Sequence, residues 1–125
     1  MEIRKLDFVG VPSRDADCTR EFYVETLGLR PDEHSKYEFW VGETCFAIWE
    51  PAQFGVEFAP QRNAAFALHV DEVEEARAAL EARGVEFVGE TLDTGVCRMA
   101  TFRDPDGNDL MPHRRYAPHT GGGDA

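Results

Sequence analysis

A chain of 125 residues, 42% hydrophobic and 30% charged, is long enough for one domain with a real hydrophobic core. Its formal net charge of −11 opposes nucleic acid and anionic lipid, and no apolar run approaches the ~20 residues of a membrane span. The first residues lack a signal-peptide pattern, so the cytoplasm is the expected compartment. Three cysteines, Cys18, Cys45 and Cys97, form neither an even set nor a CxxC spacing. They argue against a disulfide framework or zinc cluster and are expected to be buried free thiols.

In chain order, "IRKLDFVGVPS" reads as a strand ended by Pro12 and Ser13. "RDADCTREFYVETLGL" reads as a helix capped by Asp15 or Ser13, with an apolar stripe of Cys18, Phe22 and Leu27 and a stop at Gly28. A short strand is expected in "RPDEHS", then a hairpin of "KYEFWVG" and "TCFAIWEP" across "VGET". The stretch 51–63 has no steady period and reads as a linker or lid loop carrying Phe54 and Phe58.

The order then repeats. "AAFALHV" is a strand, and "DEVEEARAALEARG" is a helix with Asp71 as cap, Glu74 completing a capping box and Gly84 as stop. Strands follow in "VEFVGE", "GVCRMATF" and "DLMPH", the last two joined by the strong turn signal of "DPDGN". Strand, helix and three strands thus occur twice, about sixty residues apart, which is a duplicated βαβββ module. The expected organisation is one α+β domain over 1–116, with module one at 1–50, the linker at 51–63 and module two at 64–116. A flexible tail is expected at 117–125.

Three phrases, "LDFVGVPSRDADCTREFYVETLGL", "FALHVDEVEEARAALEARGVEF" and "FRDPDGNDL", carry a resemblance over roughly residues 4–114. They resemble the vicinal oxygen chelate superfamily, which holds glyoxalase I, extradiol dioxygenases and bleomycin-resistance proteins. The resemblance implies two modules forming a U-shaped mixed sheet with helices outside. In metal-dependent members each module offers ligands from its first and last strands. Those places fall here on Phe8, Ile48 (Ala47 or Trp49 if the register shifts by one), Ala65 and Met111. None suits a hard divalent ion, so the chain is closest in character to the metal-free bleomycin-resistance-like binding proteins. No cofactor is expected, and the same likeness implies a homodimer.

What remains is aromatic and soft. Phe39, Trp40, Trp49, Phe54, Phe58, Met99, Phe102, Met111 and His113 join Phe8, Ile48 and Ala65 as candidate ligand-binding residues. Strand alternation separates Phe39 from Trp40 and Ile48 from Trp49 without saying which face packs on the helices. Aromatic faces and Met walls suit a hydrophobic, aromatic small molecule, and the acidic balance admits a cationic one. The alternative is a glyoxalase-like lyase, isomerase or extradiol dioxygenase with a displaced metal site, for which His69, His113 and Glu50 are the catalytic candidates. A metabolite-sensing accessory domain is a third reading.

Overall fold

A computed structural model describes residues 1–118. The expected tail at 117–125, with His119, therefore falls largely outside the described residues. The aromatic and β-branched runs form strands and the Gly, Pro and Asp clusters end them, giving an α+β fold with two four-stranded mixed sheets.

The first half contains β1 (Phe8–Pro12), α1 (Ala16–Glu21) and a π-helical turn (Phe22–Thr26). Strands β2 (Arg30–Pro31), β3 (Glu38–Val41) and β4 (Thr44–Trp49) follow, then a 3₁₀ turn (Pro51–Phe54) inside the expected loop. The second half contains β5 (Phe66–His69), α2 (Val73–Ala82), β6 (Phe87–Asp93), β7 (Cys97–Arg103) and β8 (Asp109–Arg115). Sheet one runs β1-β4-β3-β2 and sheet two β5-β8-β7-β6, each with one parallel pair, β1 with β4 and β5 with β8. The duplicated βαβββ order is thus present.

By its internal contacts the chain forms two compact units. The first is Met1–Arg62 together with Asp104–Asn108, and the second is Asn63–Arg103 with the residues from Asp109 onward.

In the first unit, the helix buries Ala16, Thr19 and Tyr23. The expected stripe of Cys18, Phe22 and Leu27 is corrected by this: Cys18 is exposed and the other two are half-buried. Polarity hides Thr19, which is buried with its hydroxyl satisfied, while Tyr23 is buried as a packing residue. Tyr23 stacks near Phe39 at 6.1 Å and lies 5.0 Å from Phe46, ring centre to ring centre. Asp15 caps α1 through the Cys18 amide, and Ser13 Oγ accepts the Asp15 amide.

The turn between β7 and β8 belongs to the first unit and is held by its own polar side chains. Asp104 Oδ2 accepts the Tyr23 hydroxyl at 2.6 Å and Asn108 Nδ2 at 2.9 Å, while Oδ1 accepts the amides of Asp106 and Asn108. Asp106 accepts the Thr19 hydroxyl and the Arg14 amide. Asn108 donates to the Pro12 carbonyl and accepts the Gln61 amide. All three side chains are buried with their partners in place, as buried polar groups require.

Burial, with the Asp104 carboxylate beside it, pushes the Tyr23 phenol well above its ordinary value. An unfolded chain ionises this group first as pH rises past about 10. Stability is therefore intact below that pH and falls as pH climbs through it toward the raised value. Tyr23→Phe is expected to cost about 1–2 kcal/mol at neutral pH by losing the Asp104 bond. Its denaturant midpoint should decline less steeply than wild type between neutral and strongly alkaline buffer; an equally steep decline would place the sensitivity elsewhere.

In the second unit, α2 is capped by Glu72, whose side chain accepts the Glu74 amide, which corrects the expected Asp71–Glu74 box by one residue. Glu72 has the extended cap conformation (φ −142, ψ 114), and Asp71 stands outside. Gly84 takes φ 89 beyond Arg83 and ends the helix as expected. Cys45 and Cys97 are buried free thiols; Cys18, being exposed, departs from that expectation.

Candidate functional site

Each sheet has a helix-packed face and an open face, and the strand register settles which residue lies on which. Phe39 pairs with Phe46, and Val11 with Ile48. All four are buried, and Tyr23 packs on the two phenylalanines, so this is the helix side. Period-two alternation then sends Phe8, Gly10, Trp40, Cys45, Ala47 and Trp49 to the open side. The surroundings of Gly10 agree: a methyl placed there would sit 3.7 Å from Trp49 Cδ1 and 3.8 Å from Phe8 Cε2. Both rings therefore flank Gly10 on one face.

Ile48 and Phe39 are thus core residues of sheet one and do not face the open side. Tyr23 fixes this phase by packing on their face. The residues of β4 on the open side are Ala47 and Trp49. Phe8 and Trp49 are 62% and 39% exposed, large values for aromatic residues on a sheet. Phe54, from the 3₁₀ turn, extends this surface, with its ring centre 6.1 Å from that of Trp49. Phe58 is engaged otherwise: the Arg14 guanidinium lies 4.0 Å above its ring. Trp40 is oriented by its indole N–H, which donates to Asp32 at 2.9 Å. That bond, with the amides of His34 and Ser35, holds the Asp32 carboxyl below its usual range.

In sheet two, Ala67 pairs with Met111, His69 with His113, and Met99 with His113. These share one face, on which Ala65, just before β5, follows the same alternation. Phe102 pairs with Leu110 and Phe87, is fully buried, and belongs to the helix side. It is core rather than open surface, with its ring centre 5.4 Å from that of Phe87.

Of the catalytic candidates, His69 and His113 are register partners on β5 and β8 in the second unit. Glu50 lies in the first unit, where Oε2 accepts the Ala16 amide at 2.7 Å and Oε1 accepts Gln53 at 2.8 Å. It serves the start of α1. His69 is exposed, and its Nε2 accepts from Arg114 at 3.2 Å. The open-face residues at the family-type ligand places are Phe8, Ala47, Ala65 and Met111, which offer one thioether and no hard donor. This set does not fit a divalent ion. Among the described residues, no three His, Cys, Asp or Glu side chains form a metal-holding group.

A groove of about 610 Å³ lies in the second unit beside α2 and β6, lined by Glu74, Arg77, Glu81, Glu90, Leu92, Asp93 and others. Its arginines are already engaged, Arg77 with Glu81 and Thr91 and Arg98 with Asp93. A charged groove of this kind has no aromatic floor for an apolar ligand.

Gly10 has no place among the sequence candidates, and Ala47 stands there only as a register alternative to Ile48. As partners in β1 and β4 they leave a bare row between the flanking rings. The small residues in "FVGVP" and "CFAIW" were the available signal.

Residues 5–111 match the model of the Glyoxalase/Bleomycin resistance protein/Dioxygenase superfamily. No protein of curated function matches the sequence significantly. A Sphaerobacter thermophilus member of that superfamily shares 23% identity, with 89% of this chain and 97% of that chain covered and a TM-score of 0.75. A glyoxalase/bleomycin resistance protein/dioxygenase from Nocardioides shares 20%, covering 99% and 89%, with a TM-score of 0.73. TnmS3, an antibiotic binding protein from Streptomyces sp. CB03234, shares 26%, covering 92% and 98%, with a TM-score of 0.71. The fold, its duplicated order and the match along most of its length agree, and the chain belongs to the Glyoxalase/Bleomycin resistance protein/Dioxygenase superfamily.

Proposed function

We propose that this chain binds a hydrophobic, aromatic small molecule on the open face of sheet one, without a metal and without breaking a bond in it. The observation that carries the reading is the exposed aromatic surface of Phe8, Trp49 and Phe54 beside the bare Gly10–Ala47 row. Exposed apolar surface of this kind marks a binding site, and flat rings stack on such a surface. The open face of sheet two, with Met99 and Met111, is a second adaptable apolar surface of similar chemistry. Likeness to an antibiotic binding protein supports a sequestering role, in which a toxic compound is removed from solution by burial. The same exposed rings support a homodimer, since a second copy would shield part of them from water.

Titration with neutral acridine tests the binding role. Saturable quenching of the two tryptophans at micromolar ligand is expected. The compound should be recovered with its mass unchanged, and a recovered product would make the protein an enzyme. Sedimentation should give twice the 14.1 kDa chain mass; a single-chain mass would remove the dimer.

A further inference from the structure

The open face of sheet one ends in a carboxylate. Gly10 pairs with Ala47, and Ala47 with Glu38, so these three form one row across β1, β4 and β3. The first two are too small to cover the row. Glu38, half-buried at its end, stands two residues from Trp40 on the same face. Its carboxylate accepts from the Cys45 thiol; burial, and then this carboxylate, push the thiol above its usual value.

The buried and half-buried acids of the first unit other than Glu38 are engaged, Glu50 by the Ala16 amide. Asp32 holds the Trp40 indole and two amides, Asp17 pairs with Lys36, and Asp104 and Asp106 serve the buried turn. Glu38 has no ion pair among the described residues. Arg30 stands opposite Trp40 in the neighbouring row, exposed, and forms no such pair with it either. A half-buried carboxylate with no ion pair, on the same face as Trp40, is a place for a cation. The same aromatic surface attracts a cation through its ring electrons.

We propose that Glu38 selects the charge of the ligand: the aromatic molecule carries a fixed positive charge, placed at the end of the Gly10–Ala47 row. This rests on the reading that sheet one binds an aromatic molecule, and it adds which member of that class is preferred. Asp32 and the acidic surface at large enrich cations generally, whereas Glu38 discriminates at contact.

A matched pair of probes tests it. N-Methylacridinium carries a fixed charge, and acridine, of nearly the same shape, is neutral in slightly alkaline buffer. Both are titrated by tryptophan quenching against wild type, Glu38→Gln, Glu38→Asp and Glu75→Gln, an exposed site of the second unit. Wild type is expected to favour the cation by about tenfold. Glu38→Gln should bring the ratio close to one, while Glu38→Asp and Glu75→Gln keep the preference. Equal affinities in wild type, or a preference that survives in Glu38→Gln, would overturn the role of Glu38 and leave the aromatic site standing. If neither probe binds wild type, the aromatic-binding reading fails and this inference with it. Glu38→Ser, titrated in the same way, also removes the charge and should bring the ratio close to one, which keeps the test decisive should Glu38→Gln fold poorly; a preference of about tenfold surviving in it would overturn the role of Glu38.

Discussion

Trp49→Ala is expected to weaken binding of neutral acridine by roughly thirtyfold or more, the ~2 kcal/mol lost when an aromatic anchor is truncated. The fold should survive, since Trp49 is 39% exposed and lies on the open face rather than in the core. Its neighbour gives the opposite result. Ile48→Ala removes a buried side chain paired with Val11 and should lower stability by about 2–5 kcal/mol. Affinity per folded molecule should hardly change. The pair reads out the face assignment directly, because adjacent strand residues point to opposite sides. Denaturant melts and quenching titrations on both variants check it. If Trp49→Ala destabilised the fold and Ile48→Ala abolished binding, the faces would be exchanged.

The second large effect lies in the turn. Asp104→Ala removes the acceptor of the Tyr23 hydroxyl, the Asn108 side-chain amide and the amides of Asp106 and Asn108. Tyr23 and Asn108 are fully buried, so water does not replace that acceptor without opening the structure. A loss of about 3 kcal/mol or more is expected, more than Tyr23→Phe, which removes only one of these bonds. A double variant of Asp104→Ala with Tyr23→Phe should lose less than the sum, because the same bond is counted twice. Equilibrium unfolding of the four proteins measures this. Full additivity would mean that the hydroxyl and the carboxylate act independently.

The turn shows how much of the molecule is legible in sequence. "DPDGN" announces a turn by local chemistry alone, and Gly107 takes φ 87 as that chemistry implies. What the side chains of Asp104 and Asp106 reach is not local. Their partners Tyr23 and Thr19 stand 81 and 87 residues away, and no spacing rule connects them. The same blindness produced the wrong helix stripe. Thr19 reads as polar until its hydroxyl partner is known, so the apolar Cys18 stands in its place, whereas Tyr23 packs as an aromatic residue in "EFY" is expected to.

Strand alternation behaves differently. It correctly groups Phe46 with Ile48 and Cys45 with Trp49, because period two is fixed by backbone geometry. It is silent on which group meets the helix, and Tyr23 decides that through Phe39 and Phe46. Hence Ile48 and Phe39, candidates from sequence, lie in the core, while Phe8 and Trp49 lie on the open side. That Phe8, Ala65 and Met111 are poor ligands for a hard ion follows from residue type alone, whatever their orientation.

The most direct test of the binding face is amide chemical-shift mapping with neutral acridine on isotope-labelled protein. Shift changes should concentrate at Phe8–Pro12, around Ala47–Trp49 and in the 3₁₀ turn Pro51–Phe54, with the compound recovered intact. Changes confined to the charged groove beside α2 and β6, or no saturable change at any residue, would contradict an aromatic binding face on sheet one.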